Sequence, residues 1–281
     1  MSEHPGNKLQ YSLTAGLLTG FMCAGIAPGV AQQSPPDFAA NNAGWISVGG
    51  EWTPLPGSPP PVAQDPAHRY VPNNVGAQPT FRIADIANPN LTQFAKGSLK
   101  KTNDEVLAGK PMWSRSARCW ATGVPAFLLT PAQPMFFIQT PQHVSMIAQH
   151  DNDVRRVYLN VSHSANPKPS WYGESVGRYE GDALVIDTIG LNDKTFIDNF
   201  RTPHSEKLHV VERLRLVEGG RFLEAELLID DPAVFLKPLH VTKRSRRVEA
   251  TLAEWRCAAG EMNNPFAKDA DPLPMTEKPD F

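Results

Sequence analysis

The strongest constraint on the fold is a run of short apolar segments between residues 134 and 256. They are separated by turns that leave room only for hairpins, such as YEGD at 179–182 and VEGGR at 217–221. Segments joined in this way pair with their neighbours in sequence as an antiparallel sheet. About eight or nine such strands favour closure into an up-and-down, lipocalin-like β-barrel, because closure removes the exposed sheet edges. A strongly curved open sheet or a sandwich is the alternative.

The first residues are typical of a secretory signal peptide. Lys8 precedes an apolar run over residues 13–27, and small residues follow up to Ala31. This pattern predicts a signal peptide over residues 1–31, with cleavage after about Ala31. The apolar run is short for a membrane span. We therefore expect a periplasmic or secreted protein without stable membrane insertion.

Two further segments precede the strands. Residues 32–80 are rich in proline, which predicts an extended arm without helix or ladder pairing. Apolar residues then recur at helical spacing, which predicts a helix over about 90–108. We expect residues 81–281 to form one barrel domain that contains this helix, the strands and a C-terminal tail.

Composition excludes several classes of partner. The 281 residues carry a formal net charge of −2 and no large basic cluster, so a nucleic-acid partner is not expected. No glycine-rich phosphate loop or dinucleotide fingerprint follows a predicted strand, and we expect no cofactor. His204 and His209 do not form an HxH or HExxH pattern, and no metal site is predicted. A homo-oligomer is compatible with the sequence.

Two cysteines, Cys119 and Cys257, remain after the predicted signal peptide. In an oxidising compartment such a pair favours a disulfide that joins the segment before the sheet to the segment after it. The alternative is two separate buried thiols. Neither reading provides enough ligands for zinc.

Strand alternation identifies Glu212 as an unusual residue. In LHVVERLRLV, one face carries Leu208, Val210, Glu212, Leu214 and Leu216. Residues of one parity share a face of a strand, so Glu212 is predicted among apolar side chains. A carboxylate there is costly unless it is paired or protonated, and we expect its apolar surroundings to favour protonation. His209 and Arg213 are predicted on the outer face.

Three other strand residues are candidates for the same interior site. Asp187 shares a face with Val185, Arg178 shares one with Val176, and Tyr158 shares one with Val154. If these faces point inward, two carboxylates, an arginine and a phenol converge in one cavity, as acid/base chemistry on an organic acid requires. The alternative is a buried ion pair and an ordinary core tyrosine.

Two histidines and two aromatic residues are predicted on loops. His163 and His204 follow strands in segments where an imidazole is easily presented as a general acid or base. Trp171 and Tyr172 lie in the same loop as His163 and are predicted to form an aromatic lid over the substrate. Solvated loop histidines are the alternative.

The chain resembles a large family of exported, β-rich bacterial proteins, most of them without an assigned activity. The resemblance rests on motifs such as GESVGRYEGDALVIDT, PHSEKLHVVER and LLIDDP within about 99–257. Where that family has Asp-Gly-Arg-x-His-Pro, this chain has LNVSHSANP and retains only His163. The resemblance implies no catalytic residues, but some similar proteins are cofactor-free decarboxylases or lyases on lignin-derived aromatics. Phenolic acid decarboxylases offer a fold-level analogy, since they use tyrosine, arginine and glutamate in a small β-barrel.

These observations predict a cofactor-independent lyase that binds a small aromatic acid or phenol inside the barrel. Arg178 would hold an anionic group, Tyr158 would donate a hydrogen bond and Glu212 would transfer a proton, with His163 and His204 at the mouth. The alternative is a periplasmic carrier of a hydrophobic ligand. A third hypothesis is an envelope protein whose proline-rich arm docks a partner.

Overall fold

The computed structural model describes residues 34–40, 43–47, 83–109, 120–130, 133–149 and 152–253. These residues belong to one compact unit, Gln33–Phe281. The predicted signal peptide, both cysteines of the predicted disulfide and the C-terminal tail from residue 254 lie outside the described residues.

Among the described residues, nine strands form a closed barrel in chain order, with β1 completing the ring beside β9. The mainly β, closed-barrel fold predicted from the hairpin pattern is confirmed. The strands are β1 Ala43–Ser47, β2 Met135–Gln139, β3 His143–Ala148, β4 Val154–Leu159, β5 Glu174–Glu180, β6 Ala183–Ile189, β7 His209–Val217, β8 Phe222–Asp230 and β9 Leu239–Glu249. Two helices accompany them, α1 Gln93–Leu107 and α2 Ala126–Leu129.

One neighbouring pair departs from the expected up-and-down arrangement. β4 and β5 are parallel, with Tyr158 opposite Val176, whereas the other neighbours are antiparallel. An odd number of strands cannot alternate in direction around a closed ring, so one parallel pair is unavoidable. Residues 160–173, called the crossover below, therefore return from one end of the barrel to the other.

The predicted proline-rich arm contributes a strand, which corrects the expectation that residues 32–80 form no ladder. β1 pairs with β9 at five positions, from Ala43 opposite Glu249 to Ser47 opposite Ser245. The sequence AGWIS contains no proline, so every residue can take part in a ladder. The part of the arm from residue 48 to 80 lies outside the described residues.

Both helices lie at the end of the barrel where β5, β7 and β9 begin, called the helical end below. α1 is tied to the β8–β9 connection, since the Thr92 amide donates to the Val234 carbonyl at 2.9 Å. The Thr92 hydroxyl caps the helix by accepting from the Ala95 amide at 3.2 Å. In the described part of the chain, no helix has the length and apolar character needed to cross a membrane.

Large side chains fill the described interior of the barrel. Trp45, Met135, Phe137 and Met146 point inward and are at most 4% exposed. At the end opposite the helices, residues 34–40 cross the barrel opening, and the Phe38 ring lies 5.0 Å from that of Phe137. The interior is thus a packed core in which any polar side chain needs a partner.

Candidate functional site

The outer wall of β4–β6 carries three of the predicted catalytic residues. Tyr158 is 50% exposed, whereas its neighbours Val157 and Leu159 are buried. Arg178 is also exposed and pairs with Glu180 at 2.5 Å. Asp187 lies on the same wall, since it is opposite Val176, which is itself opposite Tyr158. The expectation that these residues face the interior is therefore wrong.

Glu212 alone among the predicted strand residues points into the barrel, as its parity indicated. It is fully buried and forms a two-fold ion pair with Arg155, with distances of 2.9 Å to Nη1 and 2.5 Å to Nη2. Arg155 is fully buried as well. Glu212 therefore has a guanidinium as its partner, and the predicted convergence with Tyr158 and Arg178 does not occur.

Two hydroxyl groups complete this interior network. Arg155 Nη2 donates to Thr188 Oγ1 at 2.9 Å, and Arg155 Nε donates to Ser175 Oγ at 3.3 Å. The two hydroxyls are 2.9 Å apart and hydrogen-bonded to each other. A buried charge pair is tolerated when its remaining donors and acceptors are satisfied in this way. The network balances the negative charge of Glu212 with the positive charge of Arg155. An interior acid that transfers protons would instead need a carboxyl group free of such a partner.

A second titratable cluster lies on the outer wall, where the crossover passes over β5 and β6. His163 Nδ1 is 3.0 Å from Glu174 Oε1, and His163 Nε2 is 2.8 Å from Asp187 Oδ1. The same Asp187 oxygen is 3.1 Å from His209 Nε2. Two residues predicted from separate segments, His163 and Asp187, are therefore in direct contact. We call these four residues the histidine–carboxylate cluster.

The hydrogen bonds of His163 require a particular protonation state. Ionised carboxylates only accept hydrogen bonds, so both ring nitrogens of His163 must donate, and only the imidazolium has two N–H groups. Glu174 also accepts from the Ser164 hydroxyl at 2.7 Å and the Ser164 amide at 2.6 Å. The bonds from Ser164, followed by the contact with His163, lower the pKa of Glu174. The two contacts of His163 thus have the geometry of an imidazolium that donates to two carboxylates.

His209 is the most accessible member of this cluster, with a side chain 43% exposed. The Nε2 atom of His209 contacts Asp187, whereas its Nδ1 atom has no hydrogen-bond partner among the described residues. If Nε2 carries the proton, Nδ1 presents a lone pair to solvent, which is the arrangement of a carboxylate-oriented general base. The half-buried Val176 and Val211, both opposite Asp187, form an apolar surface beside it.

Within the described ranges, no group of three or more histidine, cysteine, aspartate and glutamate residues is arranged to hold a metal ion.

The aromatic residues of the crossover lie at the helical end. Trp171 packs against Trp120 with ring centroids 5.4 Å apart, and Tyr172 meets the edge of Phe127 at 5.9 Å. The Tyr172 hydroxyl is buried without a hydrogen-bond partner among the described residues. Burial, followed by the negative charge of Asp153, raises the pKa of this phenol. Both rings therefore pack against aromatic residues of the same chain, Tyr172 against α2, and their role as a lid over a substrate stays a prediction.

The prediction that His204 is exposed on a loop is wrong. It is 4% exposed, and its Nε2 lies 2.7 Å from Thr195 Oγ1. The adjacent Ser205 donates its amide and hydroxyl to Asp231, at 2.6 and 2.9 Å. His204 is therefore part of the packed connection between β6 and β7, and a solvent-borne substrate does not reach it.

Several site residues escaped sequence reasoning, most notably Arg155. Arg155 shares its strand face with Val157 and Leu159, both buried, but the other face of β4 also carries a valine and an arginine, so parity does not single it out. Glu174 is recognisable only from its contact with the crossover.

No family model, curated protein or solved structure matches the chain.

Proposed function

We propose that this protein is a cofactor-independent lyase that performs acid/base chemistry on a small aromatic acid or phenol, at the outer-wall histidine–carboxylate cluster. The observation that supports this proposal is the contact between Asp187 and His209 Nε2 at 3.1 Å, which leaves Nδ1 open to solvent. His209 is the general base, and Asp187 orients it. Val176 and Val211 provide the apolar surface for the ring of the substrate.

The positive charge for an anionic substrate group comes from further along the same wall. Arg178 and Arg213 share the Glu180 carboxylate and are 60% and 38% exposed. A guanidinium recognises a carboxylate through paired hydrogen bonds, so an aromatic acid can replace Glu180 as the partner of one arginine. In this scheme Tyr158, on the neighbouring strand, lines the edge of the site.

In the proposed decarboxylation, His209 takes the phenolic proton. His209 then gives this proton to the ring carbon that bears the carboxylate, where the electrons of the phenolate form the new carbon–hydrogen bond. The carbon–carbon bond to the carboxylate breaks next, carbon dioxide leaves, and the electron pair of that bond restores the aromatic ring as a phenolate. The phenolate takes a proton from solvent, so that no oxidant or reductant is needed. A positioned acid/base contributes about 10²–10⁴ to the rate of such a reaction.

The test uses hydroxylated aromatic acids as substrates and follows both carbon dioxide release and the loss of ultraviolet absorbance. The His209→Gln variant should lower kcat by about a hundredfold or more, because Gln cannot transfer the proton. His240→Gln is the matched control, since His240 lies on the outer wall of β9, separated from Asp187 by β7 and β8. Equal turnover in wild type and His209→Gln would refute the assignment.

The carrier hypothesis makes a different prediction in the same assay, namely ligand binding without turnover. It is weakened by the packed interior, where Trp45, Phe137 and Met146 occupy inward positions. Tryptophan fluorescence titration with the same acids separates the two. Saturable binding without product, unaffected by His209→Gln, would favour the carrier.

A further inference from the structure

Hydrogen bonds hold the crossover on the barrel, and His163 is the residue whose side chain contacts two strands. The Asn160 amide donates to the Gly177 carbonyl at 2.8 Å, Ser164 donates its amide and hydroxyl to Glu174, and the Ser170 amide donates to the Gly190 carbonyl at 3.0 Å. Between Ser164 and Ser170 the residues are ANPKP, which includes two prolines without an amide donor. The contacts of His163 with Glu174 and Asp187 therefore add to the bonds of Asn160 and Ser164, and they tie the crossover to β6 as well as to β5.

We propose that His163 is a protonation-dependent latch that holds the crossover on the outer wall while it is an imidazolium and releases it when it loses a proton. The neutral ring has one N–H and one lone pair. With Glu174 on one side and Asp187 on the other, deprotonation turns one of its two hydrogen bonds into a repulsive contact between a lone pair and a carboxylate. The latch does not depend on the proposed reaction.

Other titratable and charged groups near the latch lie on five strands and in the crossover itself. Glu174 on β5 and Asp187 on β6 face His163 directly, and His209 on β7 shares Asp187. Asp230 on β8 lies opposite His209. On the outer face of β4 is Arg156, and the crossover carries Lys168. The groups in direct contact with His163 are both carboxylates, which can accept the two hydrogen bonds that an imidazolium donates.

The sign of the effect follows from linkage. In the latched state both ring nitrogens of His163 lie against carboxylate oxygens, and a neutral ring can donate to only one of them, so raising the pH favours release. At the acid extreme Glu174 loses its charge instead. Because the hydrogen bonds from Ser164 lower the pKa of Glu174, its contact with His163 persists into more acidic solution. The latch is therefore closed between these limits.

The test is hydrogen–deuterium exchange of the full chain from about pH 6 to about pH 9.5, a range that spans ordinary imidazole titration. The Ser164 amide is a direct reporter, because it donates to Glu174. Protection of peptides covering residues 160–168, corrected for intrinsic exchange, should fall roughly three- to tenfold on alkalinisation, as expected for partly exposed ion pairs. Peptides from β7 and β8 should not change.

Two variants separate charge from packing. His163→Lys keeps a cation that does not titrate below about pH 9.5 and should retain protection throughout this range. His163→Gln has no charge and should show low, pH-independent protection. A wild-type crossover whose protection is constant over the range, or a His163→Gln crossover as protected as wild type at about pH 6, would overturn the latch.

Discussion

Removing the charge of Glu212 tests the interior network most directly. The Glu212→Gln substitution keeps the shape of the side chain but leaves Arg155 buried without a counter-ion. Both partners are fully buried, at 0% side-chain exposure, so solvent does not screen the loss. Ser175 and Thr188 still accept from the guanidinium, but neither carries a charge.

The expected cost follows from this burial. Breaking a buried pair by removing one partner costs about 3–5 kcal/mol, whereas replacing both by apolar residues is often neutral or stabilising. Glu212 lies between Ile186 and Leu227 on the neighbouring strands, so a leucine fits its surroundings. The double variant Arg155→Met/Glu212→Leu should therefore recover most of the stability that Glu212→Gln loses.

Urea unfolding of wild type, Glu212→Gln and the double variant measures the effect. With an m-value of about 2–3 kcal/mol/M, the midpoint of Glu212→Gln should fall by roughly 1–2 M. Arg178→Met is the control, because the exposed Arg178–Glu180 pair should contribute less than about 1 kcal/mol. The reasoning would be refuted if Glu212→Gln lowered the free energy of unfolding by less than about 1 kcal/mol, or if the double variant were no more stable than Glu212→Gln.

Three further predictions concern stability. Gly173→Ala should destabilise by about 2 kcal/mol or more in urea unfolding, because φ is +63° and the new Cβ would lie 2.4 Å from the Ile189 carbonyl oxygen. Gly219→Ala should cost only about 1 kcal/mol, because φ is also positive, at +66°, but the new Cβ would have no atom within 4 Å. Equal losses of stability in the two glycine variants would contradict the steric argument. Phe38→Ala should lower the unfolding free energy by about 3–5 kcal/mol, since the ring is fully buried; a loss below about 1 kcal/mol would show that residues 34–40 do not close the barrel. Burial lowers the pKa of Lys243 from 10.5 to about 8. Between these pH values the unfolded chain binds more protons than the folded chain, so the free energy of unfolding should rise with pH, by roughly 3 kcal/mol in total. Lys243→Met should abolish this rise between about pH 8 and 10, and an unchanged slope would contradict it.

Strand pairing was predictable because most neighbours in the sheet are neighbours in sequence. β2 to β9 follow the alternation and turn pattern almost residue by residue. β1 was not predictable in the same way, since its partner β9 begins about two hundred residues later and no local turn connects them. Pairing between the first and last strands depends on barrel closure as a whole.

The side of the sheet that faces inward was harder to predict than the alternation itself. In β7 the choice is clear, because one face carries three leucines and a valine around Glu212. In β4 both faces contain an arginine and apolar residues, and packing decides that Arg155 is buried while Tyr158 is exposed. A parity argument therefore works where the two faces differ strongly in polarity and fails where they do not.

The histidine–carboxylate cluster is a consequence of the odd strand number. A tight hairpin between β4 and β5 would reverse the chain and could not produce their parallel pairing. The crossover must instead travel the length of the barrel over its outer wall, because the interior is filled by core side chains. This path carries His163 across β5 and β6, where Glu174 and Asp187 already face outward. The same parallel pair that breaks the up-and-down pattern thus brings a histidine to two carboxylates distant in sequence, beside the more exposed His209.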